Sequence, residues 1–340
     1  MIDLKAKKFS KVIIKSDKSS WVLDELKKEI EFSLKNKINF INQNFNYFIK
    51  GQCIFYINKY DLIREKTKNN NIAVSFFHID PKKKKENKNI LDYLINNKFI
   101  KCIQVTNKKM ESYLIKKGIK KKKIFKIPIG IDIKKFPYVS IKKKMALKKK
   151  KGLEDYFVIG SFQKDGIGWG DGNKPKMIKG PDLFIKIIKK LKKKLNLHVI
   201  LTGPSRGYVI NNLKKLNVSY QHHYLKKYEE LKNYYSLLDA YIVSSREEGG
   251  PRAILESMSS GVPIYSTRVG QAPEVIKNGY NGFLFDINKY DKLINLIIKN
   301  FKNNKTKLKI VRNARNTAKN FSYYKNKKLW TNFFECLKKK

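Results

Sequence analysis

Two glutamates with seven residues between them, Glu248 and Glu256, are the side chains in this sequence best suited to chemistry. Gly249, Gly250 and Pro251 follow the first glutamate and predict a turn that opens a helix carrying the second. The free N–H groups and positive dipole at such a helix start suit a diphosphate. An ionised carboxylate accepts hydrogen bonds from paired hydroxyls, which sugars offer. The spacing therefore predicts a site that binds a phosphorylated sugar.

The two carboxylates have different positions relative to that helix start. Glu256 is expected roughly 7 Å along the helix axis, close to the reach from a diphosphate to the hydroxyls of its ribose. Glu248, in the turn, is expected to face the transferable sugar. Arg252 precedes Glu256 by four residues, so both side chains can address one ligand. The alternative makes Glu248 an exposed loop acid and Glu256 a solvated helix residue, but the ordered combination favours the ligand site.

A strand and a helix must position these residues. Residues 239–244 form a short apolar run that ends in polar residues, which is typical of a buried parallel strand. After the turn, Ile254, Leu255 and Met258 form an apolar stripe at helical spacing, and Gly261 predicts the end of the helix. The site is thus expected at the carboxyl end of a strand.

The segment 244–263 resembles the signature of the family 4 (group 1) glycosyltransferases of the GT-B fold, whose hallmark is two glutamates separated by seven residues. Residues 266–276 and 278–285 resemble the segments that follow it, and Lys179-Gly180 resembles the start of the second domain's first helix. The resemblance extends from about residue 124 to residue 330. It implies two Rossmann-like domains with parallel sheets, and a C-terminal helix that crosses back to the first domain.

The resemblance also implies a reaction. A nucleoside-diphosphate sugar would be the donor substrate, with no cofactor and no metal, and the transfer would retain configuration. Lys179 and the helix start at Gly250 to Ala253 would hold the charge of the departing diphosphate, together with Arg252 or Lys164. Glu248 would position the sugar hydroxyls and act in catalysis, and Glu256 would bind the ribose.

This sequence departs from the family pattern in two places. The arginine that usually follows the second domain's first strand is not obvious, because residues 160–163 read GSFQ, and Lys164 is the candidate for its role. The glycine-rich segment 165–172 then either covers the donor or is an ordinary surface loop. In the first half, residues 16–21 replace the glycine-rich loop of the family.

Histidines offer one further catalytic candidate. His78 follows a predicted strand at its carboxyl end, where the resemblance implies a first-domain residue that faces the donor sugar. The alternative is a packed or surface histidine. His222 and His223 follow a strand near the place of the family's nucleotide base, whereas His198 begins a strand and is expected to be structural.

Strand-like runs alternate with amphipathic helices along the 340 residues, which predicts an α/β protein with two parallel sheets. The predicted organisation is an N-terminal Rossmann-like acceptor domain (1–140), a linker (141–153), a C-terminal donor domain (154–322) and a returning helix (323–340). The three cysteines predict buried free thiols in a reducing compartment, without a disulfide framework or zinc site. No apolar run is long enough to span a membrane and no signal-peptide core is recognisable, so a cytoplasmic location is expected.

The formal net charge of +48 is open to two interpretations. The lysines accompany many Asn and Ile residues, which AT-rich codons favour, so much of the charge is explained by solvated faces. Three clusters, at 82–85, 116–123 and 142–151, could instead hold the enzyme to anionic lipid on the inner face of the membrane. Nucleic acid is not expected as a partner, because no recognition motif accompanies the lysines.

Two other classes of protein stay open. A nucleotide-sugar epimerase of the same fold would share the donor site and convert the donor without an acceptor. A basic protein that binds membrane or nucleic acid would carry a degenerate catalytic site and ignore nucleotide sugars. For a transferase, the expected acceptor is a glycan, a lipopolysaccharide or a lipid-linked sugar of the cell envelope, on the basis of the basic first domain. Neither the sugar nor the base can be read from the residues.

Overall fold

The computed structural model describes residues 11–15, 22–34, 39–42, 53–66 and 70–338. The chain divides into two compact units: unit 1 comprises Met1–Gly130 and Ser322–Lys340, and unit 2 comprises Ile131–Phe321. Each unit contains a six-stranded sheet whose described strand pairs are all parallel. The predicted class, an α/β protein with two parallel sheets, is confirmed. Residues 16–21, where the sequence departs from the family loop, lie outside the described residues.

Unit 1 alternates strands and helices in a sheet of order β2-β1-β3-β4-β5-β6. The strand interiors are almost fully buried, as expected for a parallel sheet covered on both faces. The elements are β1 (Lys11–Lys15), α1 (Val22–Leu34), β2 (Asn39–Asn42), β3 (Cys53–Tyr56), α2 (Lys59–Glu65), β4 (Asn71–Ser75), α3 (Lys84–Asn96), β5 (Ile100–Val105), α4 (Lys108–Lys116) and β6 (Ile124–Lys126).

Unit 2 repeats the pattern with a sheet of order β12-β11-β10-β7-β8-β9. Its elements are α5 (Ile141–Lys150), β7 (Phe157–Phe162), α6 (Pro181–Lys192), β8 (Leu197–Thr202), α7 (Gly207–Lys215), β9 (Ser219–His223), α8 (Leu231–Tyr235), β10 (Ala240–Val243), α9 (Arg252–Ser260), β11 (Ile264–Thr267), α10 (Ala272–Val275), β12 (Phe283–Phe285), α11 (Tyr290–Lys302) and α12 (Asn304–Asn320).

A C-terminal helix, α13 (Tyr323–Lys338), completes unit 1. Trp330, Phe333 and Phe334 are at most 1% exposed and belong to one apolar cluster with Phe55 of β3. The ring of Phe55 meets these three rings at centroid distances of 5.5–6.2 Å. The predicted return of the C-terminal helix to the first domain is therefore confirmed, and its physical basis is aromatic burial.

The segment predicted to be a linker, 141–153, contains a helix that belongs to unit 2. Lys144 Nζ of α5 donates to Leu238 O at 2.6 Å, and Lys148 Nζ lies 2.8 Å from Asp239 Oδ2. The structure divides the chain after Gly130 and after Phe321, whereas the sequence placed the first boundary at residue 140. The lysine-rich composition resembled a linker, but two of its lysines donate to acceptors that lie about ninety residues away in the chain.

The cysteines come together on the elements that α13 covers. Cys53 and Cys102 are buried free thiols on β3 and β5, and Cys336 is a partly exposed free thiol on α13. The Sγ atoms of Cys53 and Cys102 donate to backbone carbonyls of α13, at Leu337 and Phe333. Burial raises the pKa of the Cys53 thiol, so it is held in the protonated form.

Candidate functional site

Gly180 allows the start of α6 to lie directly against the end of β10. Its backbone is left-handed, with φ +64°, and a Cβ at this position would overlap the carbonyl oxygen of Ser244. The carbonyl of the preceding residue, Lys179, accepts hydrogen bonds from Gln163 Nε2 at 3.3 Å and Ser244 Oγ at 3.4 Å. Loops that follow β7 and β10 therefore meet at Lys179, at the carboxyl edge of the second sheet.

Lys179 and Glu248 form an ion pair at this edge, although 69 residues separate them in the sequence. Ser245 Oγ donates to the same oxygen, Glu248 Oε1, at 3.0 Å. The two side chains are 24% and 14% exposed, so a ligand in solution can reach them. The structure thus brings together the predicted diphosphate-binding lysine and the predicted sugar-binding carboxylate.

The turn between β10 and α9 is held by the loop after β11. Gln271 N donates to Gly249 O at 3.0 Å, and Thr267 Oγ1 donates to Ser245 O at 2.5 Å. A Cβ on Gly250 would come within 2.6 Å of Gln271 Oε1. The backbone of the turn is therefore fixed by close contacts that only small residues permit. Gly249, Gly250, Pro251 and Arg252 are buried, and Ala253 is half-buried.

Glu256 lies in a different environment from Glu248. It is 4% exposed, and its two carboxylate oxygens accept hydrogen bonds from Tyr228 Oη and Tyr235 Oη. Arg252 Nε lies 3.4 Å from Tyr228 Oη. Burial, followed by the charge of Glu256, raises the pKa of both tyrosines well above the usual value, so both hydroxyls keep the protons that they donate. The interpretation of Glu256 as a solvated helix residue is wrong.

Arg246, which the sequence analysis did not single out, ties the loop after β10 to α6. Its guanidinium makes two hydrogen bonds of 2.7 Å to the carboxylate of Asp182, and its backbone N–H donates to Ile178 O at 2.8 Å. Burial raises the pKa of Asp182, but the hydrogen bond and the charge of Arg246, together with backbone hydrogen bonds from Leu183 and Asp182, more than offset this, and the net shift is downward. This bidentate pair holds the two loops that carry Lys179 and Glu248.

The glycine-rich segment is anchored beneath by Arg206, a second residue that sequence reasoning missed. Arg206 is 1% exposed, its Nε lies 3.0 Å from Asp165 Oδ1, and its Nη1 donates to Gln163 O at 2.8 Å. Lys164 extends to the other side, with Nζ 3.4 Å from the centroid of the exposed Trp169 ring. The described partner of Lys164 is thus an aromatic ring, and its role in diphosphate binding stays a prediction.

The four histidines differ in surroundings. His198 is 3% exposed and its Nδ1 lies 2.8 Å from Ser219 Oγ, which confirms the expected structural role. His222 Nε2 lies 2.7 Å from Gly203 O, and the ring of His223 lies 4.6 Å from that of Tyr234. His78 is half-buried after β4 of unit 1, and its carbonyl accepts from Lys59 Nζ. Its catalytic role stays a prediction.

Over the residues that the structure describes, no three His, Cys, Asp or Glu side chains gather as metal ligands would. In the same residues, none of the helices combines the length and the apolar character needed to cross a bilayer.

Comparison with known proteins identifies the family. The sequence profile of the group 1 glycosyl transferases matches residues 174–317, which include Lys179, Glu248 and Glu256. This part of the chain belongs to that family, as its signature predicts.

Two sequence relatives illustrate the range of similarity. An uncharacterized glycosyltransferase of Methanocaldococcus jannaschii is 29% identical over 68% of this chain and 57% of its own length. An Escherichia coli UDP-Gal:α-D-GlcNAc-diphosphoundecaprenol α-1,3-galactosyltransferase is 27% identical over 52% of this chain and 45% of its own length. The chain thus spans about half the length of these relatives.

Solved structures show the same fold over nearly the whole chain. The Anabaena protein HepE, in complex with UDP-glucose, superposes with a TM-score of 0.77 at 14% identity, covering 96% of this chain and 99% of HepE. The two α/β units are therefore those of a GT-B fold.

Proposed function

We propose that this protein is a glycosyltransferase that moves a sugar from a nucleoside-diphosphate sugar to an acceptor hydroxyl, with retention of configuration and without a metal. The observation that carries the proposal is the Lys179–Glu248 pair at the carboxyl edge of the second sheet, beside the start of α9. A cation, a carboxylate and a helix start at one edge are what a diphosphate with an attached sugar requires. The family membership of residues 174–317 supports the same conclusion.

The chemistry follows from the leaving group. A nucleoside diphosphate departs as a stabilised anion, so the main task of the site is to hold its developing charge with preorganised donors. Lys179 and the N–H groups at the start of α9, near Arg252 and Ala253, serve this purpose. When the donor binds, Lys179 exchanges its contact with Glu248 for one with the diphosphate. Glu248 then accepts hydrogen bonds from the sugar hydroxyls.

Glu256 keeps its proposed contact with the ribose. Hydroxyl groups already donate to both of its oxygens, and a carboxylate accepts hydrogen bonds from ribose hydroxyls in the same way. Tyr228 and Tyr235 would then fix the direction in which Glu256 faces the ribose. Lys164 and His78 are proposed, respectively, as a further cation for the diphosphate and as a catalytic residue from unit 1.

For the acceptor, we propose a lipid-linked sugar of the cell envelope rather than a free glycan. The Escherichia coli relative is named for a UDP-galactose donor and a diphosphoundecaprenol-linked acceptor, which supports this class and a UDP-sugar donor. The proposed location is the cytoplasmic side of the membrane. The free thiols of Cys53, Cys102 and Cys336 support a reducing compartment.

The test is a thermal-shift screen of nucleotide sugars, followed by kinetics with the donor that stabilises most. A ligand at a hundred times its Kd stabilises by about 2.7 kcal/mol, which raises the Tm measurably. We expect Glu248→Gln to lower kcat/KM roughly 100-fold and Lys179→Met to abolish stabilisation by the donor. Glu256→Gln should mainly raise the donor KM.

Lys190→Met is the matched control, because Lys190 forms an exposed ion pair with Asp291 elsewhere in unit 2. It should behave as the wild type in both assays. Wild-type kinetics in both Glu248→Gln and Glu256→Gln would contradict the assignment of the site. Conversion of the donor without an acceptor would instead identify an epimerase, and indifference to every nucleotide sugar would favour a degenerate site.

A further inference from the structure

Exposed apolar side chains gather around one cavity of about 290 Å³ in unit 2. Met145 of α5 is 66% exposed, Leu308 of α12 is 44%, Tyr138 is 40% and Phe301 is 39%. Scattered exposed apolar residues are normal on a protein surface, but four around one cavity form a patch. Such a patch indicates a surface that contacts another apolar phase or partner.

The cavity lies at the amino edge of the second sheet. Its lining includes Asn196, Asp239 and Pro263, which precede β8, β10 and β11. The Lys179–Glu248 pair lies at the carboxyl edge of the same sheet. A partner at this cavity would therefore leave the candidate donor site uncovered.

Lysines surround the exposed apolar side chains. Helix α5 has six lysines and no acidic residue, and Lys142 and Lys149 lie three residues before and four after Met145, on one helix face. Lys305 and Lys309 at the start of α12 are exposed beside Leu308. Long lysine stems can lie along an apolar surface while the ammonium groups reach outward.

The inner lysines of the same region have a different role. Lys148 pairs with Asp239, and Lys144 donates to Leu238 O, so both join α5 to the sheet. The acidic residues Glu154 and Asp155 also line the cavity and offset part of its positive charge. The net positive surface thus lies on the exposed turns of α5 and α12 that carry Met145 and Leu308.

We propose that this α5 surface, formed by Tyr138, α5, Phe301 and the first turns of α12, docks onto a bilayer that contains anionic phospholipid. Met145 and Leu308 would enter the boundary between headgroups and acyl chains, and Lys142, Lys149 and Lys305 would contact lipid phosphates. Charge complementarity favours an anionic surface, and the two most exposed apolar side chains of the patch, Met145 and Leu308, are aliphatic, which favours insertion into lipid.

The lysine clusters that the sequence suggested for membrane contact are divided between the two units. The cluster 142–151 was assigned to the linker or the first domain, whereas it belongs to the unit that carries the candidate donor site. The clusters at 82–85 and 116–123 lie in unit 1. The lysine clusters of unit 1 and the α5 surface of unit 2 are therefore alternative membrane contacts, and variants in each unit distinguish between them.

The test measures sedimentation of the full chain with vesicles of phosphatidylcholine, alone or with about one third phosphatidylglycerol. We expect binding only to the anionic vesicles, and Met145→Glu should lower the partition coefficient roughly tenfold. The matched control is Ile115→Glu, because Ile115 is 42% exposed beside Lys116 and Lys117 of unit 1. It should bind vesicles as the wild type does.

Three results would overturn the proposal: no binding of the wild type to anionic vesicles, equal binding of Met145→Glu, or loss of binding in Ile115→Glu alone. An equal loss of single-stranded RNA binding and of vesicle binding in Met145→Glu would also count against lipid as the specific occupant. The Tm of Met145→Glu without any ligand should equal that of the wild type, which shows that the variant folds. Failure of vesicle binding would thus leave the proposed transferase function intact.

Discussion

Glu248 and Glu256 show how two residues of one motif acquire different properties. Glu248 is partly exposed and contacts Lys179 and Ser245, whereas Glu256 is enclosed by Tyr228 and Tyr235. Seven intervening residues determine that one precedes the helix and the other lies within it. The partners come from distant segments, so the local spacing could predict the pair but not the tyrosines.

His198 provides a pH-dependent prediction at the same scale. Burial, assisted by the charges of His223 and Lys148, lowers its pKa to about 4 from an ordinary value of 6.5. Between these two values the unfolded chain binds a proton that the folded chain does not, so stability falls as the pH falls from 6.5 to 4. The group contributes no pH dependence above that window. When His198 is fully protonated in the unfolded chain, the free energy of unfolding is lower by up to about 3 kcal/mol.

The measurement is the urea midpoint of the wild type and His198→Gln at several values between pH 7 and pH 4. The wild type should lose more stability than the variant across this range, because glutamine has no titrating group. If the two curves stay parallel, the histidine is not held in its neutral form in the fold.

At the scale of elements, the candidate site depends on how closely α6 approaches β10. Gly180→Ala should strongly destabilise unit 2 and abolish donor binding, because the new Cβ would overlap Ser244 O and displace Lys179. Gly152→Ala is a closely matched control: its φ is +63° against +64° for Gly180, but a Cβ there meets nothing within 4 Å. In both variants the left-handed backbone of the new alanine lowers the free energy of unfolding by about 1–2 kcal/mol.

Differential scanning calorimetry with and without donor separates the two effects. Gly180→Ala should lose at least a further 2 kcal/mol or so relative to Gly152→Ala, as expected when backbone atoms must move. Equal losses would mean that the approach of α6 to β10 is not critical.

The elements themselves were predictable to different degrees. Strand-like runs coincide with all eight strands from β3 to β10 and predicted the strand, turn and helix around Glu248, because hydrophobic periodicity is a local property. Helix α5 was mistaken for a linker, because its lysines obscured the apolar residues Ile141 and Leu147. Its stability comes instead from Lys144 and Lys148, whose acceptors lie on the loop before β10 and at Tyr156.

At the scale of the whole molecule, the C-terminal helix determines the integrity of unit 1. Trp330 is fully buried, and its Nε1 donates to Glu29 Oε1 at 3.3 Å. Trp330→Ala should destabilise unit 1 by about 3–5 kcal/mol, the usual cost of removing a buried aromatic side chain. Leu329→Ala, at a position that is 38% exposed on the same helix, should have little effect.

Hydrogen exchange with peptide resolution tests this prediction. In Trp330→Ala, amides of β3 and β5 should exchange faster, while those of β7 and β8 should match the wild type. Equal acceleration in both units would show that the two units do not unfold separately.

Local sequence patterns were sufficient to predict the α/β class, the two parallel sheets and the strand–turn–helix that carries Glu248 and Glu256. These follow from local patterns of apolar residues, glycine and proline, which specify elements within a short stretch of chain. Tertiary contacts were needed to establish the pairing of Lys179 with Glu248, the enclosure of Glu256 by two tyrosines, and the membership of α5 in unit 2. Each of these depends on contacts between residues far apart in the chain, which spacing alone cannot specify.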